Sequence, residues 1–135
     1  MEVQEITAAE VLVLLPVGRL DTTTSSDFET RALAVLSRGV SRFVIDCGRL
    51  DYVSSAGLRV LLMLAKRLSG GKGALVLCSM SKPVLEVFEI AGFSRIFAIE
   101  PDRDSALQRA ASETPGADVP RRAPRAAAAP PVAPP

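Results

Sequence analysis

The residues best equipped for chemistry are a serine pair, Ser54-Ser55, followed by Ala56-Gly57 and then a leucine-rich run. An apolar strand pattern ending near Cys47 precedes them, and Leu58 opens a helical pattern, so the serines fall at a predicted helix start. Small residues there leave the first-turn amides uncovered at the positive end of the helix dipole. Such an end tolerates an anion. A phosphoryl group on Ser54 or Ser55 would place roughly −1.5 to −2 charges there and reverse the local sign, which is the making of a binary switch. A serine in this place also serves as an ordinary N-cap worth about 1 kcal/mol, with Gly57 there for close packing. The residues alone leave both readings open.

Other chemistries fall away. The chain holds no histidine, which removes Ser-His-Asp and Cys-His pairs and HExxH zinc sites. Tyr-Val-Ser-Ser-Ala is not the Gly-x-Ser-x-Gly of a nucleophile elbow, and Lys66 lies more than two helical turns from the serines. Gly70-Gly71-Lys72-Gly73 follows a helix and precedes a strand, the reverse of the order a phosphate-cradling loop requires. Cys47 and Cys78 each end an apolar run without a CxxC partner, so they are expected to be reduced, buried and structural. No metal, cofactor or catalytic residue is expected.

Sixteen basic against fifteen acidic side chains, one tyrosine and no tryptophan argue against nucleic acid as a partner. The mainly apolar stretches, Val11–Val17, Val60–Ala65 and Ala74–Cys78, are far short of the ~20 residues that span a bilayer. The acidic start MEVQEITAAEV has no signal-peptide h-region, and a cytoplasmic location without membrane association is expected.

The elements that must position the serines alternate between strand and helix. Glu2–Ile6 and Val11–Val17 read as a hairpin, with Pro16 near a strand end or edge and Gly18 turning the chain away. Ser26 and Glu29 form a capping box for a helix striped by Phe28, Ala32, Val35 and Leu36 and stopped by Gly39. Arg42–Cys47 is a strand. Leu58, Leu61, Leu62, Ala65 and Leu68 stripe a second helix, which leaves Arg59, Met63, Lys66 and Arg67 toward solvent beside the serines. Strand Ala74–Cys78, a helix from about Ser81 to Ala91, strand Phe93–Ile99 and a helix over Asp102–Ala111 complete the pattern. The fold class is therefore α/β, a single domain with a small mixed, mainly parallel sheet of four to five strands. About four helices cover it. Asp21 with Thr22-Thr23-Thr24 ends the second strand, where strand ends and helix starts cluster in such folds, or is a plain turn.

The domain is expected over residues 1–112, which carry thirteen basic and thirteen acidic side chains. Beyond it, the 22 residues from Thr114 to Pro135 hold seven prolines and seven alanines. Residues 113–135 are therefore expected to form a disordered, Ala/Pro-rich tail that owns the net charge of +1.

Three landmarks in order give this sequence a resemblance to a known family. Gly18-Arg19-Leu20-Asp21 resembles a strand-end Gly-Glu-Leu-Asp, and Ser54-Ser55-Ala56-Gly57-Leu58-Arg59 resembles Asp-Ser-Ser/Thr-Gly-Leu-Gly. Val87-Phe88-Glu89-Ile90-Ala91-Gly92-Phe93 resembles Leu-Phe-(x)-x-x-Gly-Leu/Phe. Over about residues 2–112 the chain is similar to the STAS family, the bacterial anti-sigma factor antagonists. The resemblance implies helices packed mainly on one side of the sheet. It also implies a regulatory binding protein rather than an enzyme, whose partner is an anti-sigma factor with serine kinase activity. The kinase phosphorylates a motif serine and breaks the complex, and a PP2C-type phosphatase restores it. Aligned on Gly57, the modified serine is Ser55, with Ser54 the second choice, and the partner surface comprises Asp21, Thr22, Ser54, Ser55, Ala56, Gly57, Arg59 and Met63. Ser54 stands where the family has aspartate, and Ala56 removes a second hydroxyl. Beside this switch stand two alternatives, a STAS binding module that is never phosphorylated and a small carrier of anionic ligands.

Overall fold

A computed structural model describes residues 1–8, 10–70 and 73–112, without the side chains of residues 69 and 70. The tail expected over 113–135 lies outside the described residues. Among them, six strands, four α-helices and one 3-10 helix follow in the order β1 (Glu2–Ala8), β2 (Val11–Leu20), α1 (Thr22–Ser37), β3 (Arg42–Asp46), β4 (Leu50–Val53), α2 (Ser55–Gly70), β5 (Ala74–Cys78), α3 (Lys82–Ile90), η1 (Phe93–Arg95), β6 (Ala98–Glu100) and α4 (Arg103–Ser112).

The sheet runs β1-β2-β3-β5-β6, with β4 pairing β2 off that path. β1 and β2 are antiparallel, and every other pairing is parallel. The sheet is thus mixed and mainly parallel, as expected from sequence, with β4 as the strand that raises the count to six. α1, α2 and α3 share a large core with Leu12, Leu14, Leu20, Phe43, Ile45, Leu75 and Leu77 on one face. Among the described residues α4 alone covers the other face, where Ala106 and Ala110 let it approach Val11, Val13, Val44, Val76, Cys78 and Ala98. Covered on both faces, β2 reads as a continuous apolar run instead of an alternating one.

Several local expectations are corrected. α1 begins at Thr22, four residues before Ser26, because Asp21 caps it: its carboxylate accepts from the Thr23 and Thr24 amides, each at 3.0 Å, and the Asp21 amide donates back to the Thr24 hydroxyl at 2.9 Å. Gly18 does not turn the chain out of the sheet. Its φ of 102° bends β2 where the strand leaves β3 and, past a register shift, joins β4. Pro16 sits inside the ten-residue β2, not at its end. It falls between the Leu12–Leu14 pairing with β3 and the Gly18–Leu20 pairing with β4. A missing amide costs least in such a gap. The last strand is shorter than Phe93–Ile99, since Phe93–Arg95 forms a 3-10 turn that starts at left-handed Gly92.

Candidate functional site

The sheet brings the ends of β2 and β4 side by side, pairing Leu20 with Val53 in parallel. Each strand runs directly into a helix, so the starts of α1 and α2 become neighbours. Leu20 is the junction. Its carbonyl accepts the Ser54 amide at 2.8 Å, and its side chain is fully buried. A Cβ added at Gly57 would lie 2.8 Å from Leu20 Cγ and 2.9 Å from the Leu20 carbonyl oxygen. Glycine is the residue that lets α2 press onto the end of β2.

The two serines have different duties. Ser54 caps α2: its hydroxyl accepts the Gly57 amide at 3.2 Å and its carbonyl accepts the Leu58 amide at 2.9 Å. Ser55 is the first residue of the helix and is exposed. A serine cap does what an aspartate would do at the same place, which explains how Ser54 can stand where an acidic residue is expected. The choice between the two motif serines is therefore physical. One hydroxyl is committed to the backbone, and the other faces solvent on the first turn.

Asp21 reaches the same corner as the cap of α1, and Thr22 begins that helix exposed. The Thr24 amide, donating to the carboxylate, holds Asp21 below its ordinary 3.8; partial desolvation opposes this, while the Thr24 hydroxyl, the Thr23 amide and Arg19 assist. Asp21 is thus a charged cap at neutral pH. Ala56 is half-buried and Gly57 buried, so both shape the corner from beneath, while Arg59 is exposed one turn below Ser55.

Met63, expected toward solvent, is placed differently. It is half-buried against the main core, because α2 buries Leu58, Val60, Leu61, Leu64 and Leu68. The stripe thus centres on Leu64 instead of the expected Leu62 and Ala65. Of the eight residues expected at the site, Asp21, Thr22, Ser54, Ser55, Ala56, Gly57 and Arg59 gather at the β2/β4 corner. Met63, one turn beyond Arg59 on α2, is half-buried against the main core.

Sequence reasoning missed Arg19 and Tyr52. The bulge in β4 leaves both Asp51 and Tyr52 exposed and puts Tyr52 opposite Arg19, whose guanidinium carbon stands 4.3 Å from the ring centroid. Arg19 also reaches the Asp21 carboxylate at 3.7 Å. A charged and aromatic platform thereby adjoins the α1 cap. Tyr52 lies beside the serine motif in sequence, yet without β4 no pattern sets it against Arg19.

The cysteines are reduced and buried, as expected. They point to opposite faces, Cys47 into the core under α1 to α3 and Cys78 under α4. Beside them Asp46 accepts from Arg103 at 2.8 Å and from the Gly48 amide at 2.9 Å, tying the start of α4 to the end of β3. No helix of the described residues is long and apolar enough to cross a membrane.

The family model described as the STAS domain matches residues 1–106. A Bordetella bronchiseptica protein named anti-sigma factor antagonist BtrV is 45% identical over 89 residues, covering 66% of this chain and 77% of its own. Among solved structures, an anti-sigma factor antagonist from Mycobacterium paratuberculosis superposes with a TM-score of 0.77 at 21% identity, covering 82% of this chain and 94% of its own. The Bacillus cell fate determinant SpoIIAA in its phosphorylated form does so with a TM-score of 0.62 at 19% identity, covering 80% of this chain and 98% of its own. The fold, the order of its elements and the match over nearly the whole described chain agree, and the chain belongs to the STAS domain family.

Proposed function

We propose that this chain is an anti-sigma factor antagonist of the partner-switching kind, acting as a cytoplasmic binding protein and a kinase substrate rather than as a catalyst. In its unmodified form the β2/β4 corner, with Asp21, Thr22, Ser55 and Arg59, docks an anti-sigma factor that is also a serine kinase, and so frees that factor's target. The kinase then transfers the γ-phosphoryl group of ATP to Ser55. The Ser55 Oγ–P bond forms, the bond to ADP breaks and the hydroxyl proton leaves. The added charge ejects the partner, and a PP2C-type phosphatase hydrolyses the ester to reset the surface. Residues 1–112 carry this activity.

One observation carries the reading: Ser54 spends its hydroxyl on the α2 cap, while Ser55, next to it, is exposed at the first helical position. That position accepts a phosphate with little strain, because the free amides and the helix dipole favour negative charge. What further supports it is the name carried by the Bordetella relative and the phosphorylated form of the Bacillus neighbour. The test is incubation with ATP and the cognate kinase followed by peptide mass spectrometry. A single phosphate on Ser55 is expected. A phosphate on Ser54 alone, or none, would refute the assignment. Ser55→Asp should weaken partner binding by tenfold or more, a cost of about 1.4 kcal/mol, and Ser55→Ala should bind constitutively.

A further inference from the structure

We infer that Arg59 is the internal receptor for a phosphate on Ser55, so that one modification both adds negative charge and withdraws an exposed positive one. The inference rests on the reading of Ser55 as the modified residue and deepens it by naming what the phosphate does once attached. Ser55 and Arg59 are both exposed on α2 and lie at i and i+4, on the same face and one turn apart. Helical Cα–Cβ bonds tilt toward the N-terminus, so the long Arg59 side chain leans back over the turn that carries Ser55. An acidic group N-terminal to a basic one at this spacing is the favourable orientation, and a guanidinium offers a phosphate two parallel donors.

The other charges around the corner leave this role to Arg59. Arg19 lies over Tyr52 and against Asp21. Asp21 and Asp51 are acidic and repel a phosphate. At the start of α3, which packs on β4, Lys82 and Glu86 are exposed with opposite signs. Among the described residues no ion pair or hydrogen bond engages the Arg59 side chain, so nothing has to be broken before it turns to the phosphate. In the unmodified protein the same guanidinium is exposed and unpaired among the described residues, and an acidic group on the partner is the chemistry that reads it. Capture by the phosphate silences that contact. The exposed surface of the first two turns then passes from net positive to net negative.

The test needs no partner. Phosphoserine is encoded at position 55 during translation, and the phosphate of the intact chain is titrated by phosphorus NMR in the wild type, Arg59→Gln, Arg59→Lys and Arg67→Gln. Arg67 is exposed about two turns beyond Arg59 on α2 and serves as the control for general charge. Arg59→Gln is expected to lower the second acid dissociation constant of the phosphate by about twofold, Arg59→Lys to preserve most of it, and Arg67→Gln to leave it unchanged. Identical titrations for the wild type and Arg59→Gln would overturn the inference, and so would an equal shift from Arg67→Gln. Its failure is separable from failure of the switch: normal titration in Arg59→Gln with partner binding still lost on phosphorylation removes only the role of Arg59. The converse pattern removes only the switch.

Discussion

The Ser54 amide donates to the Leu20 carbonyl at 2.8 Å, and through that bond the start of α2 is fixed to the end of β2. The next residue after Leu20 caps α1, and Ser54 itself caps α2. Two helix N-termini are therefore held by one buried leucine. Ser55 and Thr22 inherit their positions from it, since each is the first residue of its helix. A surface built in this way is preorganised, and a charge placed on it acts on a partner without having to order the chain first.

Gly57→Ala tests how tightly that junction is packed. The new Cβ would sit 2.9 Å from the Leu20 carbonyl oxygen, an atom that cannot retreat because it accepts the Ser54 amide. Alanine gains about 1 kcal/mol of helix propensity over glycine, but overpacking against backbone costs about 1–3 kcal/mol. Net destabilisation of up to about 2 kcal/mol is expected in urea unfolding. A stabilised variant would show that the junction is looser than 2.9 Å implies.

Ser54 is separable from Ser55 by the same measurement. Ser54→Ala should cost about 1 kcal/mol through the lost cap, whereas Ser54→Asp should be neutral or stabilising by a few tenths, since aspartate caps as well and suits the dipole. Ser55→Ala should change stability little, because its hydroxyl faces solvent. Equal losses for Ser54→Ala and Ser55→Ala would contradict the division of labour between the two hydroxyls.

The order of elements and the two stretches that form the site were readable in the chain because glycines, caps and apolar periods change together there. Asp21 was readable as the end of the second strand but not as a cap. Three consecutive threonines are weak helix formers, so the capping signal at Ser26 and Glu29 outweighs them in the sequence, and the bond from the Asp21 amide to the Thr24 hydroxyl exists only once the chain is folded. β4 was not readable at all. Its two outward residues, Asp51 and Tyr52, are adjacent, and a bulge removes the period of two that marks a strand. The half-burial of Met63 was hidden for a related reason. Close approach of Gly57 to Leu20 sets the rotation of α2, and that contact joins residues far apart in sequence.

The cysteines offer a check on the packing of both sheet faces. Burial pushes the Cys47 thiol well above its usual range, and burial, partly offset by a hydrogen bond with Ser79, pushes Cys78 up to about 11. Neither forms thiolate at neutral pH in the folded state. Mass spectrometry after treatment with iodoacetamide should find both unmodified under native conditions and both alkylated in urea. Mild oxidation should leave them unlinked, because the two side chains enter different cores. An intramolecular disulfide formed without unfolding would contradict the face assignments.

Acid should loosen the α1 cap in a defined window. The Asp21 carboxyl is held below 3.8, first by the Thr24 amide, so folding favours its charged form. A group of this kind contributes its stability in full above the unfolded value and loses it as pH falls through the lower folded value. Asp21→Ala should therefore lower the thermal midpoint by a constant amount from neutral pH down to about pH 5. The gap to the wild type should then begin to close near 3.8, where the unfolded chain takes up its proton, and vanish only as the pH falls through the lower folded value, where the wild-type carboxylate is itself protonated. Differential scanning calorimetry of the two proteins at matched ionic strength reads this directly. A gap that stayed constant through the acid limb would mean that Asp21 acts by packing and not as a charged cap.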